Sequence, residues 1–371
     1  MLNRSSVNFL FKFGENWQKT NKGIGGHMKK IQINNCYIGN HEPVYFIAEI
    51  AGNFITFDEA KKIINSVIAA GCNCVKFQTF DPETVTTKKN FFDMENVGRV
   101  SQYEILKKMQ CPQDIQREIM NYCKKKNILA FSAPSHISDI DFLEDIENPV
   151  YKIGSDLACH IPLLKNVAKL GKTIILSTGM CTSEEIRISV NTILNEGNDQ
   201  ILLMHCVADY PTKVEEINLT VMKTLKKEYG FPVGYSDHTI GPEMSLAAVA
   251  LGANAIERHF KHKDTQQGPD AILSSDETEM KYIIDISGKI RKAMGDGIKK
   301  PSKSEYKNRI TNRVSICSLK DIPKGSVITE DMIDIRRPGY GIQPSFFEQV
   351  IGRIARKTIP KDEAITWEMF H

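Results

Sequence analysis

Two histidines, His238 and His259, lie close behind two successive predicted strands of this chain. The strands span residues 231–235 and 254–258, and a stretch of helical pattern separates them. Strands joined in this way are expected to be parallel neighbours, so both imidazoles should emerge at the same end of a sheet. Polar side chains flank them in the sequence: Ser236, Asp237, Glu257 and Asp270. The pattern favours a divalent metal site over two unrelated structural histidines, which remain the alternative for either one alone.

Lysines inside predicted strands indicate an anion site at the same end. Lys76 and Lys152 interrupt apolar runs, which is costly unless each ammonium is paired. Hydroxyl groups of Ser155, Ser177 and Ser236 also follow strands and would add donors. Such a set suits a phosphate, or a phosphate together with a carboxylate. For one lysine alone, a solvated surface position is the alternative.

The elements that must position these residues alternate from Val44 onward. Near-continuous apolar strands joined by helices are typical of an all-parallel sheet, and eight such units predict a closed (β/α)8 TIM barrel. The predicted strands are 44–50, 72–80, 128–134, 149–154, 172–177, 200–206, 231–235 and 254–258. The predicted helices are 57–70, 113–126, 161–170, 183–195, 219–229 and 241–251. No Gly-x-Gly-x-x-Gly follows the first strand, which argues against dinucleotide binding.

Active sites of this fold lie at the carboxyl ends of the strands. Every predicted strand ends in at least one polar residue: Glu49, Lys76 with Gln78, Ser132, Lys152 with Ser155, Ser177, His205, Ser236 with His238, and Glu257 with His259. We therefore expect the site at this rim.

The domain boundaries follow from turns and linkers. Residues 1–28 are expected to be a disordered leader or an added segment, because they lack the apolar core and cleavage site of a signal peptide. Residues 29–298 form the barrel, 299–308 a polar, Pro-containing linker, and 309–371 a compact β-rich domain. In that last domain Arg337 precedes a Pro-Gly turn. Most such arginines are solvated, but this one could reach into a neighbouring site.

The composition argues against a nucleic-acid-binding protein and against a membrane-spanning protein. The net charge is only +3, and no basic stripe interleaved with aromatics indicates nucleic acid. No apolar run is long enough for a membrane span. The nine cysteines show no paired metal spacing and are interpreted as reduced residues, which predicts a cytoplasmic protein.

Ten segments, in order, carry a family resemblance from Val44 to the C-terminus. They read AEIAGN, CVKFQTF, YKIGS, ILSTGM, HCVADYPT, VGYSDHT, AIERHF, GPD, AMGDGIKKPSKSE and RRPGYG. The chain resembles the sialic acid synthases, which make N-acetylneuraminate, legionaminate or pseudaminate. The resemblance implies a TIM barrel followed by a SAF (antifreeze-like) domain. It also implies a domain-swapped homodimer in which the small domain caps the partner's barrel.

The implied activity is that of a transferase that condenses phosphoenolpyruvate with an N-acylated aldehyde sugar and releases phosphate. The implied phosphoenolpyruvate site is Lys76, Lys152, Ser155, Ser177, Tyr210 and Ser236. His238 and His259 would bind Mn²⁺ or Mg²⁺. The implied catalytic residues are Glu49, Glu257, Asp270 and Arg337, and the acceptor would meet Gln78, Asp156, Asp270 and Arg337.

Four positions depart from the family pattern on the acceptor side. Phe54 stands where the family has histidine, and Leu157 where it has glutamate, for which Asp156 is a candidate replacement. Ala133 and Ala208 replace residues with hydrogen-bonding side chains. We therefore expect a deoxygenated or N-acylated, less polar acceptor.

Two other interpretations stay open. A metal-dependent barrel aldolase or lyase would not use phosphoenolpyruvate, and the lysine and serine set argues against it. A non-catalytic family member would have lost the acceptor site, and the histidine pair disfavours it. Phosphate release and divalent-ion binding discriminate among the three.

Overall fold

The structure is a computed structural model, and it describes residues 28–94, 98–265 and 270–371. The predicted leader therefore lies outside the described residues, apart from Met28. The chain forms two compact units that divide after Gly295.

The first unit contains a parallel sheet of eight strands. In chain order, all the strands of the first unit, including four outside the eight-stranded sheet, are β1 (Ile31–Ile33), β2 (Cys36–Ile38), β3 (Tyr45–Glu49), β4 (Cys74–Thr79), β5 (Phe91–Met94), β6 (Gly98–Ser101), β7 (Leu129–Pro134), β8 (Val150–Ile153), β9 (Thr173–Ser177), β10 (Ile201–His205), β11 (Val233–Asp237) and β12 (Ala255–His259). The sheet runs β7-β4-β3-β12-β11-β10-β9-β8, while β1 with β2 and β5 with β6 form antiparallel hairpins.

The two ends of this sheet, β7 and β8, are joined through a buried amide. The Asn148 side chain accepts from the backbone N–H of Ser132 on β7 at 2.8 Å and donates to the carbonyl of Val150 on β8 at 2.8 Å. The sheet thereby closes on itself. All eight predicted barrel strands are present, which confirms the predicted TIM barrel.

The helices of this unit are α1 (Phe57–Ala70), α2 (Pro82–Val85), α3 (Gln102–Met109), α4 (Gln113–Lys125), α5 (Asp139–Asp145), α6 (Ile161–Lys169), α7 (Ser183–Asn195), α8 (Val221–Tyr229), α9 (Glu243–Ala250) and α10 (Glu277–Met294). Most of them cover the outside of the sheet, whereas α3 contacts α2 and the β5–β6 hairpin. The sequence sets their ends. For α1, Thr56 and Glu59 form a capping box, and Gly71 ends the helix at φ 89°. The six predicted helices are confirmed. Within the described ranges, none of the helices is long and apolar enough to cross a membrane.

The core has two layers because successive strand residues point to opposite faces. One apolar cluster fills the barrel interior, where Ile31, Ile33 and Ile38 of the β1–β2 hairpin pack with strand residues such as Ile47 and Ile175. A larger cluster lies between the sheet and the helices. Thr173, at the start of β9, donates to the backbone of this hairpin at 2.9 Å, so the hairpin lies at the amino ends of the strands. The polar residues of the barrel interior therefore lie at the other end of the barrel, at the carboxyl ends of the strands.

The second unit is small and rich in β-structure. It contains α11 (Glu305–Thr311), β13 (Ser315–Ser318), β14 (Ile333–Arg336) and α12 (Phe347–Val350). β13 and β14 are antiparallel, and isolated bridges such as Ile322 with Ile359 extend the pairing. Buried isoleucines form its core. α11 begins within the segment predicted as a linker.

Candidate active site

Strand register brings the polar residues of four neighbouring strands together. Ser236 on β11 lies opposite Glu257 on β12, and His259 on β12 lies opposite Glu49 on β3. Glu49 in turn lies opposite Lys76 on β4. All five side chains line one cavity of about 2770 Å³ at the carboxyl ends of the strands. The predicted rim is therefore where the polar interior residues meet.

One carboxylate oxygen collects three donors in this cavity. Oε1 of Glu257 lies 3.1 Å from Lys152 Nζ, 3.3 Å from Lys76 Nζ and 3.2 Å from the hydroxyl of Ser236. Lys76 also pairs closely with Glu49. These side chains are at most 5% exposed, so their charges meet with little water between them.

The charges in this cluster stabilise one another. Burial alone would lower the pKa of Lys76, but the carboxylates of Glu257 and Glu49 outweigh it and raise that pKa. Burial alone would raise the pKa of Glu257, but Lys152 and Lys76 hold it well below its usual range. The other carboxylate oxygen of Glu257 is buried without a hydrogen-bond partner among the described residues. The cluster therefore has room for a further donor.

The two predicted metal ligands face each other, with ring centroids 5.7 Å apart. His238 Nδ1 lies 2.7 Å from the carbonyl of Val207, so Nδ1 carries the proton. Nε2, which has only a long contact of 3.4 Å with the Ser236 hydroxyl, is the nitrogen available to a ligand. His259 Nδ1 is buried without a hydrogen-bond partner among the described residues, 3.5 Å from Asp270 Oδ2. Tyr210 stacks on His238 at a centroid distance of 4.2 Å.

Burial favours the neutral form of both imidazoles. Burial lowers the pKa of His238, and burial together with His238 and Lys76 holds the pKa of His259 well below its usual value. Neutral imidazoles are the ligand form, so this donor set fits a divalent ion. Within the described ranges, however, no three His, Cys, Asp or Glu side chains already converge on one point. An ion held by this pair would need water or substrate oxygens to complete its shell.

Asp270 is the carboxyl group most suited to proton transfer. Burial, with the charge of Glu49 next, raises its pKa to about 6. A group that titrates near neutrality can both give and take a proton at working pH.

The other predicted residues of the barrel lie around the same cavity. Gln78, Ser155, Asp156, Ser177 and Tyr210 all line it. The hydroxyl of Ser155 accepts from the backbone N–H of Gly179 at 3.0 Å. Arg337 belongs to the second unit, just after β14.

Several apolar side chains also line the cavity. They include the four departing positions, Phe54, Ala133, Leu157 and Ala208, together with Ile105, Leu106 and Met109 of α3. A side chain at Gly52 would lie 3.0 Å from Met109 Cε and 3.7 Å from Asp270 Oδ2, so α3 reaches the neighbourhood of Asp270. α3 is not among the helices predicted from the sequence. The signal available was length, since the segment between β4 and α4 exceeds an ordinary βα loop of about 2–6 residues.

Three polar residues at strand ends point away from the cavity. Ser132 hydrogen-bonds Thr79 at 2.6 Å beneath α4, and His205 Nε2 lies 2.7 Å from the carbonyl of Ile217. Asp237, expected beside the histidines, pairs with Arg258 behind them. Strand alternation explains all three, because each is one residue out of phase with an inward neighbour.

Comparison with known proteins agrees with this geometry. The profile described as NeuB family matches residues 63–299, and that of the SAF domain matches residues 313–371. An N,N'-diacetyllegionaminic acid synthase of Campylobacter jejuni is 38% identical over 312 residues, covering 82% of this chain and 93% of that protein. A pseudaminic acid synthase of the same species is 31% identical over 340 residues, covering 90% and 98%.

A solved structure gives the same comparison in three dimensions. The N-acetylneuraminic acid synthetase of Leptospira borgpetersenii, crystallised with citrate, superposes with a TM-score of 0.68 at 31% identity. The match covers 76% of this chain and 96% of that protein.

Proposed function

This chain belongs to the NeuB family, and on that premise we propose that it is a transferase that joins phosphoenolpyruvate to an N-acylated aldehyde sugar, yielding a nonulosonic acid and phosphate. The observation that carries the proposal is the pair of buried lysines, Lys76 and Lys152, which point into one cavity beside two neutral histidines.

Phosphoenolpyruvate fits the charges on the lysine side of the cavity. Its phosphate and carboxylate are the oxyanions that buried ammonium groups bind best, and Ser155, Ser177 and Ser236 add hydroxyl donors. Glu257 contacts both lysines, and Glu49 pairs with Lys76. The substrate would therefore replace or share these contacts, and its binding would fix C3 toward the acceptor.

The reaction balances with these groups. C3 of phosphoenolpyruvate attacks the aldehyde carbon, and Asp270, whose pKa is about 6, is placed to give a proton to the aldehyde oxygen. C2 becomes cationic, and water adds to it while Glu49 takes the proton of that water. The C2–O bond to phosphate then breaks, C2 becomes a ketone as its hydroxyl loses a proton, and phosphate leaves. Tyr210 over His238 covers the reacting centre.

His238 and His259 are the residues that would hold Mn²⁺ or Mg²⁺. When bound, the ion would act as a Lewis acid on the aldehyde oxygen of the acceptor. The protein's own contribution is to keep both imidazoles neutral and to fix the His238 ring through the Val207 carbonyl. This orientation is what a ligand histidine needs.

The apolar residues at the four departing positions support a weakly polar acceptor. Phe54, Ala133, Leu157 and Ala208 offer no side-chain partner for a sugar hydroxyl, and an unpaired buried hydroxyl costs about 1–3 kcal/mol. We therefore propose a 2,4-diacetamido or deoxy hexose rather than N-acetylmannosamine.

We also propose that the chain works as a homodimer in the cytoplasm. Reciprocal capping by the SAF domain would bring Arg337 of the partner subunit to the barrel rim, and a two-fold dimer closes both sites at once. All nine cysteines are free, which suits a reducing compartment.

An acceptor panel tests the substrate assignment. Phosphate release from phosphoenolpyruvate would be measured with Mn²⁺ and either N-acetylmannosamine or a 2,4-diacetamido hexose. We expect the second sugar to give the higher kcat/KM by at least tenfold. A higher kcat/KM with N-acetylmannosamine would refute the acceptor assignment, and no phosphate release with any aldehyde sugar would refute the proposed reaction.

A further inference from the structure

A second charged pair lies directly behind the candidate site. Asp237 on β11 and Arg258 on β12 are register partners, and their side chains face the helices rather than the cavity. Arg258 Nη1 lies 2.6 Å from Asp237 Oδ2, and the side chains are 1% and 0% exposed. A buried ion pair often adds little to the free energy of unfolding, so we looked for a role of this pair in positioning nearby residues.

Asp237 fixes the backbone on both sides of His238. Its Oδ1 accepts from the backbone N–H of Thr239 at 2.9 Å and from the Thr239 hydroxyl at 2.7 Å. Its Oδ2 accepts from the hydroxyl of Ser245 on α9 at 2.5 Å. Since His238 stands between Asp237 and Thr239, its main chain is held at each end.

Arg258 ties this loop to the next one. On one side it donates to the carbonyls of Gly241 at 2.9 Å and Thr239 at 3.2 Å. On the other side it donates to the hydroxyl of Ser275 at 2.7 Å and to the carbonyl of Leu273 at 3.4 Å. One planar guanidinium thus spans two loops.

The second of these loops carries Asp270. The backbone carbonyl of Asp270 accepts from the N–H groups of Leu273 at 3.2 Å and Ser274 at 3.0 Å. The Ser274 hydroxyl donates to the same carbonyl at 2.7 Å. The position of Asp270 is therefore coupled to the segment that Arg258 binds.

We propose that Arg258 and Asp237 are positioning residues that set the distance between His238 and Asp270 across the mouth of the barrel. The inference rests on the proposed function only where it concerns turnover. A lysine could not do the same, because its ammonium presents three donors at one point whereas guanidinium presents five in a fixed fork. Neither residue lines the cavity, so each acts through the loops it holds.

The test compares three conservative variants of the whole chain. R258K keeps the charge and loses the fork. E279Q weakens the outer arm of the network, where Glu279 accepts from Arg258 Nη2 at 3.2 Å and from Ser275 at 2.7 Å. R291K is the matched control, because Arg291 donates to the Glu42 carbonyl at 2.9 Å and lies on α10 outside this network.

Amide hydrogen exchange, without substrate or metal, is the first readout. R258K should speed exchange at least fivefold in segments 238–241 and 271–275, and R291K should leave both segments unchanged. For turnover, R258K should lower kcat at least tenfold while the KM for phosphoenolpyruvate stays within threefold. The exchange readout needs no activity, so it decides the inference even if the wild-type chain releases no phosphate.

Two outcomes would contradict the positioning role of Arg258. A lower Tm for R258K, with unchanged exchange in both segments and unchanged kcat, would mean that the pair only stabilises the fold. If R258K fails to fold, E279Q takes its place, because the Glu279 side chain is 32% exposed and tolerates the change. E279Q should then speed exchange at 271–275 at least twofold, and wild-type exchange there would overturn the proposal.

Discussion

Lys76 and Lys152 bind the same carboxylate oxygen, Oε1 of Glu257, at 3.3 and 3.1 Å. They lie on different strands, and the register of the barrel brings them together at one rim. Glu49 pairs with Lys76 as well, so two buried carboxylates balance the two ammonium groups beside the histidines. A substrate oxyanion that takes over either contact would be held by buried lysines, and this is the basis of the anion-binding prediction.

Truncating either lysine should weaken phosphoenolpyruvate binding. Removing one partner of a buried, hydrogen-bonded charge pair costs about 2–5 kcal/mol, so K76A and K152A should each raise Kd at least tenfold by calorimetry. Lys165, exposed on α6, supplies the control variant K165A, which should bind as the wild type does. Unchanged Kd values in both lysine variants would move the anion site elsewhere.

Replacing either ligand histidine should abolish turnover without unfolding the barrel. H238A and H259A remove imidazoles at strand ends, where side chains serve function more than packing. Circular dichroism checks the fold, and phosphate release is measured at fixed free Mn²⁺. The control is H136A, since His136 bonds Ser138 in a loop outside the cavity lining. Near wild-type rates in either variant would remove the metal role.

The contribution of His259 to the stability of the metal-free chain should fall as the medium becomes acidic. The folded pKa of His259 lies well below its usual 6.5, so below about pH 6.5 the unfolded chain binds a proton that the folded chain refuses. The stabilisation is therefore present above pH 6.5 and lost as pH falls below it, by up to about 1.4 kcal/mol per pH unit.

Urea unfolding in the presence of a chelator measures this effect. H259Q should show a flatter decline of unfolding free energy between pH 7 and pH 5 than the wild type, and H136Q should keep the wild-type slope. An equal slope in H259Q would show that His259 takes up its proton in the folded state.

Two inactive variants should complement each other if the dimer caps in trans. H238A lacks the barrel imidazole, and R337A lacks the arginine of the SAF domain. A mixed dimer would contain one site with both residues, so mixing should restore part of the phosphate release. Failure to recover activity, with subunit exchange shown independently by mass, would assign the cap to its own barrel or leave Arg337 as a surface charge.

Much of this fold was predictable from hydrophobic period and turn residues. Eight strands and six helices follow from patterns such as the capping box at Thr56 and the glycine at position 71. α5 was missed because it has only 7 residues, too few to establish a period. α3 was missed because its helical segment lies in an insertion that belongs to no βα unit.

The sequence predicted that the site lies at the carboxyl ends of the strands, but not which strand-end residues point into the barrel and which point toward the helices. Ser132, His205 and Asp237 were grouped with the inward residues because each stands at a strand end. Strict alternation would have separated them, because Asp237 follows the inward Ser236, while Ser132 and His205 follow Phe131 and Met204, which face the barrel interior. The contacts of Arg258 with two loops could not be predicted, because they depend on tertiary distances between segments that no local pattern records.

The proposed condensation is tested most directly by tracing the bridging oxygen of phosphoenolpyruvate into the released phosphate. Phosphoenolpyruvate carrying ¹⁸O at the oxygen that joins C2 to phosphorus is incubated with the protein, Mn²⁺ and a 2,4-diacetamido hexose. The ¹⁸O content of the released phosphate is then measured by mass spectrometry. We expect labelled phosphate, equal in amount to the sugar consumed, because the bond that breaks lies between C2 and the bridging oxygen. Unlabelled phosphate, or phosphate released at the same rate without the sugar, would contradict the proposed condensation.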